Sequence, residues 1–374
     1  MHSTLTLPAA VERAAIANRH GWGPQPGPAD LAALATAQAG LHAARLLTPY
    51  VTAHTRLPAF RAEDLRCALS PHGTLIKVRC VRRTLHLWPH EHAADAHTAT
   101  LRLRLGATLA TARRIGLSRK DLERTSTQCQ EALAGGPLAY RDLQDRMLKA
   151  QSVPAVEAVR LGIKWAWESG QITCRNTSPS LHREQREFAL IEHAHPTARL
   201  TQSDITAATA RLIRYYLRAY APASIADLLW WTGLSQAEIS PALATLRPAI
   251  THVRVKGLPG KLLTLTEDVD HIRAALPLPA DHVRLLAFED PSFKGYFATR
   301  DRYRDAALHA QVFNPIGEVR AAITLAGRIV GTWNWDKKAR TVQHNLLTRL
   351  SRPVMREVRL RLDHAEAFLS TEPG

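Results

Sequence analysis

One order recurs in this chain: a group of helical segments, then a short two-stranded ribbon, three times over. In the first block, Pro28-Ala29-Asp30 caps a helix that runs from Leu31 to about Ala44, with Gly40 as its weak point. Thr48-Pro49 opens a second helix over Pro49–Thr55, and a third covers Ala62–Leu69. Pro71-His72-Gly73 then turns the chain into the ribbon Leu75–Leu87.

That ribbon carries the most chemistry. Ile76, Val78 and Cys80 alternate with Lys77 and Arg79, the pattern of a half-buried strand pair, and the alternation slips at Arg82 and Arg83, where a tight turn or bulge is predicted. Four cations on one short ribbon repel unless something anionic lies opposite. Thr84 and His86 add hydrogen-bonding groups. A solvated, merely basic wing is one reading and a surface facing duplex DNA phosphates is the other. The whole chain favours the second: 49 Lys and Arg stand against 33 Asp and Glu, for a net charge of +16.

In the second block, helices are predicted over Ala93–Ala112, Arg119–Ala134, Tyr140–Leu148 and Ala155–Ser169, then strands over Gln171–Arg175 and Glu187–Ile191. In the third, a long helix over Gln202–Tyr220 precedes a helix-turn-helix, Ile225–Trp231 and Gln236–Leu246, with Gly233 in the turn and Ser235 as N-cap. Its ribbon is His252–Lys256 with Lys261–Leu265, and Trp230 and Trp231 read as core anchors. Beyond Asp281 the pattern changes to strands at Val283–Ala287, Ala321–Leu325, Arg328–Asn334 and Thr341–Leu347, closed by a helix over Arg352–Phe368. The predicted fold is mainly α with β: three tandem winged-helix units (1–92, 93–198, 199–278), then a small β-rich C-terminal domain (279–374).

No run approaches about 18 apolar residues, so no membrane span is expected. Met1-His2-Ser3-Thr4 does not open a secretory signal, and a cytoplasmic location follows. Cys67, Cys80, Cys129 and Cys174 have no metal-ligand spacing and are expected reduced in cores. His90-Glu91-His92 with His97 lacks His-Glu-x-x-His spacing, so no metal or cofactor is expected.

Four segments in order resemble the winged-helix DNA glycosylases of the AlkZ and YcaQ type. Arg82-Arg83-Thr84-Leu85-His86-Leu87 is similar to that family's Arg-Gly-Thr-Leu-His-Leu, and Trp230-Trp231-Thr232-Gly233-Leu234 to its Trp-Trp-x-Gly-Leu. Leu285-Leu286-Ala287-Phe288-Glu289 resembles Leu-Leu-Pro-x-Phe-Asp, and Gly327–Trp333 resembles Gly-Arg-x-Val-Gly-x-Trp. The family's catalytic Gly-Leu-Gln-x-Gln falls, ungapped, on Gly40-Leu41-His42-Ala43-Ala44. His42 then replaces the first Gln and Ala44 the second polar residue. A second register puts Gln38 on the first Gln and Gly40 on the second.

The resemblance implies a monofunctional glycosylase acting, as a monomer, on double-stranded DNA with bulky N7-alkylguanine or N3-alkyladenine adducts, and self-resistance to a DNA-alkylating natural product. It implies catalytic roles for His42 and Gln38, which as helical neighbours four apart would share a face. Arg45, Arg56, Lys77, Arg82, Arg83, Thr84 and His86 would bind the DNA. The alternative is a DNA-binding protein without catalysis, a regulator or lesion sensor; the absence of heptads and the three unlike units argue against a symmetric dimeric regulator.

Overall fold

The computed structural model describes residues 4–149, 156–200 and 204–371. The predicted helix starts at Ala155 and Gln202 lie outside them. The chain opens with β1 (Thr6–Leu7) and α1 (Ala9–Arg19), then α2 (Leu31–Ala37), β2 (Leu41–His42), α3 (Thr48–His54), α4 (Ala62–Ala68), β3 (Leu75–Arg79) and β4 (Leu85–Pro89). Next come α5 (His90–Arg113), α6 (Arg119–Leu133), β5 (Leu138–Ala139), α7 (Tyr140–Lys149), α8 (Val156–Glu168), β6 (Ile172–Asn176), β7 (Arg186–Leu190) and α9 (Ile191–Ala194). The third stretch holds α10 (Ile205–Tyr220), α11 (Ile225–Thr232), α12 (Gln236–Leu246), β8 (Ile250–Val255), β9 (Leu262–Leu265) and α13 (Val269–Ala274). The last holds β10 (Val283–Leu286), α14 (Pro291–Lys294), α15 (His309–Val312), β11 (Ala322–Leu325), β12 (Arg328–Asp336), β13 (Thr341–Leu346) and α16 (Arg352–Ser370).

Among the described residues the strands form four small sheets: β2-β4-β3, β5-β7-β6, β1-β8-β9 and the antiparallel β10-β11-β12-β13. The fold is mixed helix and strand, with the small C-terminal β-sheet that the sequence predicts. β1 pairs in parallel with β8, so the N-terminal segment joins the third sheet. Helix α1 has no counterpart in the sequence reading. It is alanine-rich and lacks a clear polar face, and it buries Ala14 to Ala17 along with Glu12, which pairs with the equally buried Arg302.

The largest core draws on residues from nearly the whole length of the chain. Trp22, Trp88, Tyr216, Tyr220, Trp231, Phe293 and Tyr296 all belong to it, which joins α1, β4, α10, α11 and the α14 region. Smaller cores back the first sheet, the second sheet and the C-terminal sheet. Cys80, Cys129 and Cys174 are buried, but Cys67 is exposed, contrary to expectation, because it sits on the outer face of α4. Among the described residues no helix is long and apolar enough to cross a membrane.

Candidate active site

How α2 ends decides the site. The helix stops at Ala37 rather than near Ala44, because Ala39 (φ 49°) and Gly40 (φ 90°) adopt left-handed backbone. The Gly40 N–H donates to the Ala35 carbonyl at 2.7 Å, a helix-closing bond. A Cβ on Gly40 would lie 2.5 Å from Trp88 Cε2, so this position has room only for glycine. The chain leaves the turn extended as β2, and His42 and Gln38 therefore do not share a helical face.

Gln38 caps α2 and points inward. Its side chain is buried, Nε2 donates to the His20 carbonyl at 3.3 Å, and its own carbonyl accepts from the Tyr220 hydroxyl at 2.8 Å. His42 sits on β2 directly opposite His86 of β4. The two rings meet edge to face with centroids 5.3 Å apart, and both residues are buried. Burial, reinforced by His86, Lys294, Arg82 and Arg45, holds the His42 pKa well below the ordinary 6.5. Burial likewise pushes His86 down to about 3, although the Thr84 carbonyl, 3.4 Å from its Nδ1, works the other way. Nδ1 of His42 is buried with no hydrogen-bond partner among the described residues. A polar atom left so costs about 1–3 kcal/mol, which marks it as available to a ligand.

β3 and β4 are joined by the Val81–Arg83 turn, where the alternation slips. Arg82 (φ 50°) and Arg83 (φ 61°) both adopt left-handed backbone there. The ribbon is more buried than its alternation predicts: every residue of β4 is inside, as are Leu75, Ile76 and Val78 of β3. Its cations are largely spoken for. Arg79 lies over the Trp167 ring and 3.7 Å from Glu168, and Arg82 stacks on Trp230 at 3.7 Å. Lys77 is half-buried, Thr84 donates to the Val81 carbonyl at 3.0 Å, and Arg83 alone of the four cations is exposed. The anion expected opposite the ribbon is thus supplied in part by Glu168.

Arg45 and Arg56 part company. Arg45 is exposed, pairs with Glu318 at 2.5 Å and lies over Phe288. Arg56, read from the sequence as a DNA cation, has no side-chain exposure. It pairs with Asp290 at 2.7 Å and donates to the carbonyls of His20 and Thr52, clasping α3 to the start of α14. No phosphate can reach it.

Two charged groups at the site escape sequence reading. Lys294 pairs with Glu289 at 2.6 Å and lies 5.4 Å from the Trp230 ring centre. Glu289 has φ 56°, and its carboxylate accepts from the Val319 N–H at 2.8 Å. Glu289 fills the acidic position that ends the Leu-Leu-Ala-Phe-Glu segment, a usable signal; Lys294 has none. Trp231 is the core anchor expected, but Trp230 is partly exposed and also stacks on the exposed Phe297 at 5.9 Å, with Arg300 over Phe297. Among the described residues no His, Cys, Asp and Glu group could hold a metal ion.

The site thus brings His42 and His86 together under Lys294, Arg82 and Arg45, beside an aromatic face. Residues 31–368 match the family described as DNA glycosylase AlkZ-like. No curated protein matches the chain. Among solved structures, the Streptomyces sahachiroi DNA glycosylase AlkZ superposes with a TM-score of 0.81 at 19% identity, over 97% of this chain and 98% of that one. A family match that spans both the histidine strands and the C-terminal sheet leaves one assignment: the chain is a DNA glycosylase and belongs to the AlkZ-like family.

Proposed function

We propose that the enzyme hydrolyses the N-glycosidic bond of bulky N7-alkylguanine or N3-alkyladenine in double-stranded DNA, acting as a monomer in the cytoplasm, and that it confers resistance to a DNA-alkylating natural product. We read its three helix-and-sheet units as winged helices. One observation carries the chemistry: a buried imidazole whose Nδ1 has no partner among the described residues, at a strand edge ringed by cations. An alkylated purine already bears positive charge, so the leaving group needs no strong acid. Water adds to C1′, the C1′–N bond breaks, and its electron pair neutralises the departing purine. The proton released by the water passes to His42, which is neutral throughout the physiological range. The low basicity of His42 limits its push, so the reaction depends on a labile substrate and normal bases are spared.

Gln38 is assigned to holding the α2 turn through its Nε2 bond to the His20 carbonyl, while its Oε1, like His42 Nδ1, is buried without a partner among the described residues. Arg83, Arg45 and the Trp230–Phe297–Arg300 face are assigned to the DNA, with Lys77, Arg82, Thr84 and His86 shaping the ribbon beneath it. The test is a duplex with N7-alkylguanine, incubated with the protein and then treated with alkali. Strand breaks at the lesion are expected with the natural chain. Their absence on every alkylated duplex would leave a lesion-sensing role without catalysis.

A further inference from the structure

An open hollow of about 510 Å³ begins at Arg45, three residues after His42. Its walls are Leu46 from the loop that follows β2, together with Phe288, Trp333 and Trp335 of the C-terminal domain, and Arg45 and Lys337 contribute the basic groups of its lining. The aromatic walls are fixed in place. Trp333 Nε1 donates to the Leu286 carbonyl at 3.0 Å, and Trp335 stacks on His182 at 5.7 Å with the planes 15° apart. His182 is itself tied to the Leu369 carbonyl at 2.9 Å. The size falls in the range of roughly 300–1,000 Å³ that suits a drug-sized molecule. A second hollow of about 350 Å³ near Lys77 is lined by Arg66, Arg175, Glu184 and Arg186, so it is charged where this one is aromatic.

Continuity with the proposed active site identifies the occupant. Arg45, three residues after His42, lies over Phe288 in the hollow, and its charge also acts on the His42 ring. Arg45 thus links the lining of the hollow, through Phe288, to the segment that carries His42. Basic groups in the lining suit a guest tethered to a polyanion, and rigid aromatic walls suit a flat, apolar one. We propose that this hollow receives the planar, apolar body of a bulky adduct borne by the purine, so that the substituent is what the enzyme selects. This inference rests on the reading that His42 acts at the deoxyribose.

The experiment uses three duplexes, bearing N7-methylguanine, N7-benzylguanine or N7-(1-pyrenylmethyl)guanine, with the full chain and two variants. Leu46→Trp fills the hollow and Trp335→Ala removes a wall; melting curves establish that each is folded, and either alone suffices. For the natural chain, kcat/KM should rise from methyl to pyrenylmethyl by roughly 10- to 100-fold, as burial of about 55–110 Å² of the ring system implies. Both variants should flatten that order and leave N7-methylguanine within about twofold. Equal excision of all three by the natural chain, or equal loss on all three in the variants, would overturn the inference while the glycosylase reading stands. If the natural chain excises none, that reading fails instead. The ratio of Kd for the methyl and pyrenylmethyl duplexes then decides the hollow: a ratio near one overturns it, and a preference for pyrenylmethyl lost in the variants supports it.

Discussion

The helix-turn-helix of α11 and α12 and the ribbon of β3 and β4 both look from sequence like DNA-binding elements, and the structure divides form from chemistry between them. The helix-turn-helix is the more regular. Ser224 with Asp227 and Ser235 with Glu238 form capping boxes, and Gly233 closes α11 with φ 75°. Yet α12 contains no Lys or Arg, and its exposed residues include Ala237, Ser240, Pro241 and Ala244. Such a surface has nothing to neutralise phosphates with. The ribbon is irregular, strained at its tip and mostly buried, but it brings His86 and Arg82 to His42 and exposes Arg83. The two elements also touch: a Cβ on Gly233 would lie 3.2 Å from Arg82 Cα. The regular motif is a platform that seats the irregular one. A recognisable motif reports orderly backbone, and chemistry has to be argued from the site.

The largest test of that division is His42→Ala, for which a fall in kcat of about 100-fold is expected, the low end of a general-base contribution because His42 is a weak base. Gln236→Ala and Ser240→Ala on α12 should stay within about twofold. Comparable losses from α12 would reverse the comparison. Next in size is Arg56→Met, which strands Asp290 in the interior. Removing one partner of a buried pair costs about 3–5 kcal/mol. A large drop in melting temperature is expected, with the salt dependence of DNA binding unchanged; a shallower salt slope with full stability would restore Arg56 to the DNA surface.

How legible these regions were in the sequence follows from the same contrast. Helices with a capping box and an apolar stripe, such as Gln236–Leu246, are readable because each signal is local. The four strands of the C-terminal sheet were readable for the same reason, being alternating runs broken by turns such as Ala326-Gly327. The end of α2 was not, although Gly40 marks the spot. The stop depends on Trp88, nearly fifty residues later, which presses on that glycine. Helical spacing therefore joined Gln38 to His42, and the fold separates them. Arg56 failed similarly, since the partner that buries it, Asp290, is more than two hundred residues away. Lys294 reaches the site only through the packing of α14.

Acid should weaken the histidine region through burial. The pKa values of His20 and His86 are both pushed down to about 3, chiefly by burial. The unfolded chain binds these protons near 6.5 and the folded chain does not, so their stabilisation is complete above that pH and is lost as pH falls towards 3. At pH 5 each would cost roughly 2 kcal/mol. Denaturant midpoints should fall steeply between pH 6.5 and 5, and His86→Phe should blunt the fall. Excision in the same window should show no acid limb near pH 6.5, because His42 titrates well below that value. A limb at 6.5 would mean that His42 is solvated.

The smallest effect isolates the tip of the ribbon. Arg83 holds φ 61° where the resembling signature carries glycine, and left-handed backbone costs an ordinary residue about 1–2 kcal/mol. Glycine removes that strain but makes the unfolded chain more flexible, by about 0.4–1 kcal/mol. Arg83→Gly should therefore be slightly more stable, by roughly 0.5 kcal/mol. It should also lose a phosphate contact, lowering the log–log salt slope of DNA binding by about one. Arg82→Gly relieves similar strain but forfeits the stacking on Trp230, so its stability should not rise. The pair of variants separates two roles that adjacent arginines share in sequence. If both are stabilised and neither alters the salt slope, the tip is a structural turn and the DNA lies elsewhere.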